Sequence, residues 1–251
     1  CGCGSFLFGG YQYLLSWHLD WYTANDPKKF ASKKKSPPIC EITGGWKLTT
    51  EKRKEILLNN IYGVDIDRQA VEVAKLNLLL KVLEDQEVSL GMERALPDLG
   101  ENIKCGNSLI GTDFYDDKQS LLTDPEERYR INAFDWEVEF PQIVRWKDKT
   151  KRELEDGYGF DGVVGNPPYI RIQTMKEWAP DEVDFYKTEY KSASKGNYDI
   201  YVVFVEQGLG LLSKAGRLGF ILPHKFFNSK YGESVRDIIS NGNHLSKVVH
   251  F

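Results

Sequence analysis

The chain has 251 residues, 41% hydrophobic and 28% charged, with a formal net charge of −4. That length allows one large domain or two small ones, and the acidic balance excludes a uniformly basic nucleic-acid binder, so any grip on phosphates has to be local. No apolar run approaches the ~20 residues of a membrane span, no leader is visible, and Cys1, Cys3, Cys40 and Cys105 fit no zinc spacing and no disulfide framework, so reduced thiols in a cytoplasm and no metal site are expected.

In chain order, CGCGS predicts a tight turn with Gly2 and Gly4 spaced G-x-G. Glycines let a backbone approach a ligand, and a following helix offers its first N–H groups. The third glycine of a dinucleotide fingerprint and the Lys-Ser/Thr of a phosphate loop are missing, which argues against a triphosphate. Apolar spacing predicts a helix over 6–22. Residues 24–48 are polar, lysine-rich and proline-containing, and read as an excursion. Thr49 or Thr50 caps a helix through Asn59. IYGVDI predicts a strand ending in acids, and DRQAVEVAKLNLLLKVLE a helix with Ala70, Val73, Leu76 and Leu80 near one face. A loop over 86–100, a short strand and turn in NIKCGNSLI, and a polar stretch with scattered aromatics over 112–159 follow. GFDGVVG predicts a strand buried through Phe160, Val163 and Val164, and 170–196 a long charged loop. Then come a helix over 199–214, a strand over 216–223, a helix over 231–242 and a strand over 245–251. Local phosphate candidates are Lys33 to Lys35 and the run from Arg145 through Lys147, Lys149 and Lys151 to Arg152; solvated loop surface is the plainer reading of both. The four histidines are scattered, and only His224 lies at a predicted strand end.

Strands alternating with helices imply a parallel α/β sheet with helices on both faces. Ligands of such sheets bind at the carboxyl ends of strands. Gly2, Gly4, Asp65, Asn107 and the turn Asn166–Tyr169 all fall at such ends, which points to one composite site. An acid at position 65 suits the two hydroxyls of a ribose; helix capping is its plain alternative, although Asp67 is better placed for that. Asn107 suits an adenine edge, or is merely a turn asparagine. A nucleoside without a phosphate chain fits S-adenosylmethionine better than a nicotinamide dinucleotide. Pro167 and Pro168 forbid both strand pairing and helix. They hold the Asn166 side-chain oxygen and the Pro167 carbonyl as two acceptors for an exocyclic amine, whose lone pair must leave conjugation to attack. Tyr169 offers a ring face to a base taken out of its helix. No general base is needed before attack on a sulfonium, since the proton can leave afterwards. A strand-ending turn with an incidental aromatic is the plain alternative.

In this order, CGCGSFL, IYGVDIDRQAVEVAKLNLLL, NIKCGNSLIGTDF, FDGVVGNPPYIRI, NYDIYVVFVEQGLGLL and GRLGFILPHKFF resemble the catalytic domain of N6-adenine DNA methyltransferases of the gamma arrangement. These are the methylases of Type I and Type IIG restriction–modification systems and their phage-defence relatives. The resemblance implies a Rossmann-like S-adenosylmethionine-dependent methyltransferase sheet with long insertions. One catalytic domain would cover 1–251: a cofactor-binding half over 1–111, an insertion over 112–159 and a catalytic half over 160–251. It implies that Cys1, Gly2, Cys3, Gly4 and Phe6 line the methionine part of the cofactor. Asp65 would bind the ribose, Ile66 lie beside the adenine, and Asn107 with Ser108 meet that adenine. Asn166, Pro167, Pro168 and Tyr169 would hold the target base, with Tyr198 and Tyr201 near the rim. The implied partner is double-stranded DNA with the target adenine flipped out, in a prokaryotic cytoplasm. The family's first strand, ending in Asp-Pro-Ala, is not in this sequence. Nor are the aromatic segment expected after Phe251, the target recognition domain and any nuclease domain. The chain therefore reads as an internal part of a longer polypeptide. Methylation of a protein glutamine amide or an RNA base is the alternative, since NPPY serves those acceptors too. A degenerate binding domain is the non-enzymatic one, and the intact NPPY argues against it.

Overall fold

Helix starts are set by side-chain caps where the sequence offers them. In the computed structural model, which describes residues 2–84, 96–116, 124–194, 196–242 and 244–249, Thr49 accepts from Lys52 N–H, Asp67 from Gln69 N–H, Asp124 from Glu126 N–H and Asp135 from Glu137 N–H. Each takes up one of the N–H groups that a helix start leaves without a partner. The chain divides into two compact units, Cys1–Gly106 and Asn107–Phe251.

The first unit contains α1 (Ser5–Ala24), α2 (Pro27–Ala31), an antiparallel hairpin of β1 (Ile39–Ile42) and β2 (Gly45–Leu48), α3 (Thr50–Asn60), β3 (Gly63–Asp65), α4 (Arg68–Leu83) and β4 (Ile103–Cys105). β3 and β4 are parallel, Gly63 opposite Ile103 and Asp65 opposite Cys105, with α4 in the crossover between them. Buried Asn102 donates to the carbonyls of Leu58 and Ile61, tying the start of β4 to the end of α3. Tyr11, Ile39, Ile56, Leu57, Leu78 and Ile103 form the centre of the core.

Two expectations change in this unit. The excursion over 24–48 contains α2 and the hairpin, with Ile39 and Leu48 in the core; a four-residue strand with one inward side chain leaves no periodicity to read. In α4 the buried face is Val71, Ala74, Leu78 and Val82, while Val73, Leu76 and Leu80 are about half exposed. The sequence of α4 is apolar on more than one side, and spacing alone cannot choose the side that meets α1, α3 and the strands. The loop predicted for 86–100 lies largely outside the described residues.

The second unit contains a 3₁₀ turn (Thr112–Tyr115), α5 (Pro125–Ile131), α6 (Trp136–Glu139), an antiparallel pair of β5 (Trp146–Asp148) and β6 (Glu153–Leu154), and β7 (Phe160–Gly165). It continues with α7 (Ile172–Lys176), α8 (Pro180–Glu189), α9 (Tyr201–Gly210), β8 (Leu212–Phe220) and α10 (Glu233–Asn241). β7 and β8 are parallel, in register from Gly162 opposite Arg217 to Gly165 opposite Phe220.

Residues 170–196 are largely helical, not a charged loop: α7 and α8 bury Ile172, Met175, Ala179, Val183, Tyr186 and Tyr190. Those positions follow the three-and-four spacing of a helix, and the charges between them masked it. The aromatics of 112–159 pack into the same unit, with Phe114, Phe134 and Phe140 buried. Phe160 and Val163 are half-buried and Val164 is 55% exposed, so β7 is less buried than its apolar run suggests; it pairs with β8 on one side alone among the described residues. α9 ends at Gly210 because Leu212 already belongs to β8. Residues 245–249 are exposed and form no strand; 250 and 251 lie outside the described residues.

The architecture is mixed α/β. Where one parallel sheet was expected, the described strands form four two-stranded pairs, with one parallel pair in each unit. Each crossover closes on its own partner strand, and neither pair carries a third strand among the described residues. No helix among the described residues is long and apolar enough to cross a membrane.

Each unit carries a tyrosine whose proton reports on folding. Burial pushes the phenol of Tyr11 up to about 12, against the nearby Arg53 charge, and that of Tyr190 up to about 12, against Arg152. An unfolded tyrosine titrates near ~10, so these raised values contribute stability that is present below pH ~10 and is lost as pH rises through about 12. An alkaline titration followed by circular dichroism and tyrosinate absorbance should show unfolding in that window. Loss of structure below pH ~9 would contradict it.

Candidate functional site

The glycine loop is held from behind by α4. α1 begins after Gly4, whose φ is 86°, and has no side-chain cap. Gly4 has no side chain to cap the helix as Thr49 and Asp67 cap α3 and α4, and the Cys3 thiol takes a backbone hydrogen bond from Ser5. A Cβ at Gly4 would lie 2.9 Å from the Ala74 Cβ, and Asn77 Nδ2 donates to the Cys3 carbonyl at 3.1 Å. A hollow of about 720 Å³ adjoins the loop, lined by Phe8, Leu80 and Lys81 among others. Gly4→Ala should cost about 1–3 kcal/mol from the left-handed backbone and more from the contact. Thermal unfolding of the variant checks this; an unchanged midpoint would mean the loop can move freely off α4.

Asp65 ends β3 and faces this loop. Its Oδ2 accepts Gly2 N–H at 2.6 Å and its Oδ1 accepts Asp67 N–H at 3.0 Å. Residues 63 positions apart in sequence therefore meet. The cap of α4 is Asp67, not Asp65, so Asp65 is free of the plain role considered for it. Half-burial would raise the Asp65 carboxyl, but the hydrogen bonds it accepts, those from Asp67 and Gly2 among them, hold it below the usual carboxylate range. Ile66 follows with 54% of its surface exposed, an apolar side chain at the strand end, and Phe6 is partly exposed near the loop. Cys1 lies outside the described residues. A left-handed glycine with no room for a side chain, a helix start without a capping side chain at Gly4, an anionic strand end and an exposed apolar neighbour fit a nucleoside ligand that carries no phosphate chain.

Asn107 and Ser108 belong to the second unit. Asn107 Oδ1 accepts Leu109 N–H at 3.1 Å, and its side chain also hydrogen-bonds the Tyr186 phenol, which burial raises above its ordinary range. The side chain thus shapes the turn after β4. The Ser108 carbonyl accepts the Trp136 indole N–H at 3.0 Å. Ser108 borders a cavity of about 100 Å³ walled by Phe134, Trp136, Phe185 and Tyr190. Sequence reasoning missed this cavity, whose lining comes from elements as far apart in sequence as Asp113, Trp146 and Gln207.

The Asn166–Tyr169 turn follows β7, with Pro167 buried and Asn166, Pro168 and Tyr169 exposed. The Tyr169 hydroxyl lies 2.6 Å from Asn166 Oδ1 and 3.0 Å from the Ile221 carbonyl. A phenol has one proton, so two acceptors converge on a single donor. Ile221 was not foreseen. Gly165 pairs with Phe220 in register, which brings the next residue of each strand to the same level. The Tyr169 ring stands edge-on to Tyr201 at 6.2 Å. Tyr198 and Tyr201 are fully buried and do not lie at a rim. Tyr201 bonds to the Tyr231 hydroxyl at 3.0 Å and backs the turn from inside. His224 lies in a 3₁₀ turn (His224–Phe227) after β8.

The basic run 145–152 is neutralised internally. Arg145 pairs with Glu155, Lys147 with Glu153, Lys149 with Asp113 and Asp135, Lys151 with Asp148 and Arg152 with Glu206. It is therefore not a row of open cations.

A family model described as Eco57I restriction-modification methylase matches residues 59–251. The chain is 35% identical to the Type II restriction enzyme and methyltransferase RM.Eco57I of Escherichia coli, over 100% of this chain and 22% of that protein. It is 53% identical to the putative Type II restriction enzyme and methyltransferase RM.MjaORFECS2P of Methanocaldococcus jannaschii, over 68% of this chain and 22% of that protein. With the Type II methyltransferase M.BstVI of Geobacillus stearothermophilus it shares 30% identity over 50% of this chain and 20% of the relative. The chain thus spans about a fifth of the length of these relatives.

Proposed function

The chain belongs to the Eco57I restriction-modification methylase family, and we propose that it is the catalytic part of an enzyme that methylates the N6 amino group of adenine in a specific DNA sequence, with S-adenosylmethionine as donor. The observation that carries this reading is the exposed Asn166 Oδ1 at the end of a parallel strand pair, held by a Tyr169 hydroxyl that has a second acceptor in the Ile221 carbonyl. An exocyclic amine has two N–H groups and needs acceptors to turn its lone pair out of conjugation; Tyr169 can give up Asn166 to it and keep Ile221.

When bound, the cofactor supplies a methyl group on a positively charged sulfur. Gly2, Cys3, Gly4 and Phe6, with Cys1, would line its methionine part, Asp65 would accept from its ribose hydroxyls, and Ile66 would lie against its adenine. Asn107 and Ser108 would complete the adenine side. In the catalytic turn Asn166 would accept from the target amine, with the Pro167 carbonyl as partner acceptor and Pro168 stiffening the backbone. Tyr169 would stack on the flipped adenine, releasing its hydroxyl from Asn166 as the amine arrives. Asn166 and Pro167 would hold the amine's N–H protons while its nitrogen bonds the methyl carbon and the carbon–sulfur bond breaks to leave a neutral thioether; one of those protons would pass to solvent afterwards.

The two parallel pairs would belong to one Rossmann-like sheet, and the halves over 1–111 and 160–251 would serve cofactor and base around the insertion 112–159. The names of two relatives join a restriction enzyme to a methyltransferase. By that analogy the protein would work with a nuclease and a recognition domain on double-stranded DNA in a prokaryotic cytoplasm. Labelled methyl transfer from S-adenosylmethionine by the intact protein, with DNA, RNA and protein acceptors offered side by side, tests the reading. N6-methyladenine in the DNA digest is expected; label in RNA or protein with none in DNA would overturn it.

A further inference from the structure

Two lysine-rich runs stand out in an acidic chain, and the structure treats them differently. The cations of 145–152 are each paired within the second unit. Residues 26–38 carry five lysines, Lys28, Lys29, Lys33, Lys34 and Lys35, against the single acid Asp26. All five lysines are exposed. No ion pair among the described residues involves any of them, and Asp26 is used as the cap of α2, accepting Lys29 N–H.

The segment is also built onto the first unit. Phe30 of α2 packs against Trp21 and Tyr22 of α1, with ring centroids 5.5 and 4.9 Å apart. The Lys33 ammonium lies 5.2 Å from the Phe30 centroid. At its far end the Thr49 hydroxyl donates to the Pro37 carbonyl at 2.7 Å, closing the segment onto the start of α3. Beside the lysines, α1 leaves Tyr13, Trp17 and Trp21 substantially exposed at four-residue intervals along one face. A merely solvated loop needs neither an aromatic anchor nor an adjoining row of open rings. Unpaired cations interleaved with aromatics are what a nucleic-acid backbone recognises: cations neutralise phosphates, and rings cover sugars and bases.

We propose that Lys28, Lys29 and Lys33 to Lys35, with the exposed face of α1, form a phosphate-contacting surface for duplex DNA on the first unit. This rests on the DNA reading above. It also answers how a chain of net charge −4 holds a polyanion: the positive charge is concentrated on one anchored segment.

The test compares two charge-matched variants of the intact protein on a mixed-sequence DNA duplex across a range of salt concentrations. One carries Lys33→Gln, Lys34→Gln and Lys35→Gln; the other carries Arg145→Gln, Lys147→Gln and Lys151→Gln. Each lost phosphate contact flattens the slope of log affinity against log salt by about 0.9. The first variant should flatten it by about 2–3 and the second should leave it unchanged. Equal flattening in both would mean bulk charge alone, and no flattening in the first would mean solvated lysines; either overturns the proposal. A larger loss on duplex RNA than on DNA would overturn the choice of partner. Should the unaltered protein methylate DNA while the first variant binds it normally, this surface falls and the DNA reading stands. Should the unaltered protein neither bind nor methylate DNA, the DNA reading falls and takes this surface with it. All six substituted side chains are exposed, so thermal unfolding should match the parent in both variants.

Discussion

Asn166→Ala should reduce methyl transfer by about a hundred- to a thousandfold while leaving cofactor affinity near its parent value. Losing one positioned polar contact to a centre where charge develops costs about 2.7–4 kcal/mol. The Asn166 side chain bonds to the Tyr169 hydroxyl, three residues away, and the cofactor contacts proposed for Gly2, Gly4 and Asp65 do not involve it. The truncated turn should keep its form, because buried Pro167 holds the backbone and the Tyr169 hydroxyl retains the Ile221 carbonyl. Single-turnover methylation at saturating cofactor, alongside calorimetric titration of S-adenosylmethionine, separates the two quantities. A variant methylating at the parent rate would remove Asn166 from the reaction.

Asp65→Ala should show the opposite pattern. A hydrogen bond to a charged acceptor is worth about 1.5–3 kcal/mol, so cofactor affinity should fall by roughly ten- to 150-fold, with turnover at saturation much less affected. The structure adds a second contribution, because Asp65 also accepts Gly2 N–H and so ties the glycine loop to β3. Asp65→Asn separates the two. It keeps an oxygen for Gly2 and loses the charge, so its affinity should lie between those of the parent and the alanine variant. Unchanged affinity in both variants would leave Asp65 as a loop tether with no part in cofactor binding.

Much of this was legible in the sequence, for identifiable reasons. Thr49 and Asp67 announced their helices because a cap is a local device, completed within three residues. The strand ends at Asp65 and Gly165 were legible because an apolar run stops at acids or prolines. What escaped was decided at a distance. The buried side of α4 depends on what packs against it, and the hairpin over 39–48 on a pairing between short strands. The Ile221 carbonyl enters the site through the register of a strand some fifty residues from the turn, which backbone chemistry alone determines. Tyr198 and Tyr201 were placed near the rim by the family resemblance; both are buried, and Tyr201 finds a partner for its hydroxyl in Tyr231. Helices α7 and α8 were hidden by their charges although the apolar spacing was present.

Gly4 and Ala74 touch across the first unit with less than a methyl group to spare. The two positions cannot drift independently as the sequence diverges. A larger residue at 74 would have to be accommodated by moving the loop, and a side chain at 4 would require a glycine at 74 as well as a change of backbone conformation. Inheritance at these two places is therefore joint. The middle of α4, some seventy residues downstream of the loop, carries part of that loop's evolutionary constraint.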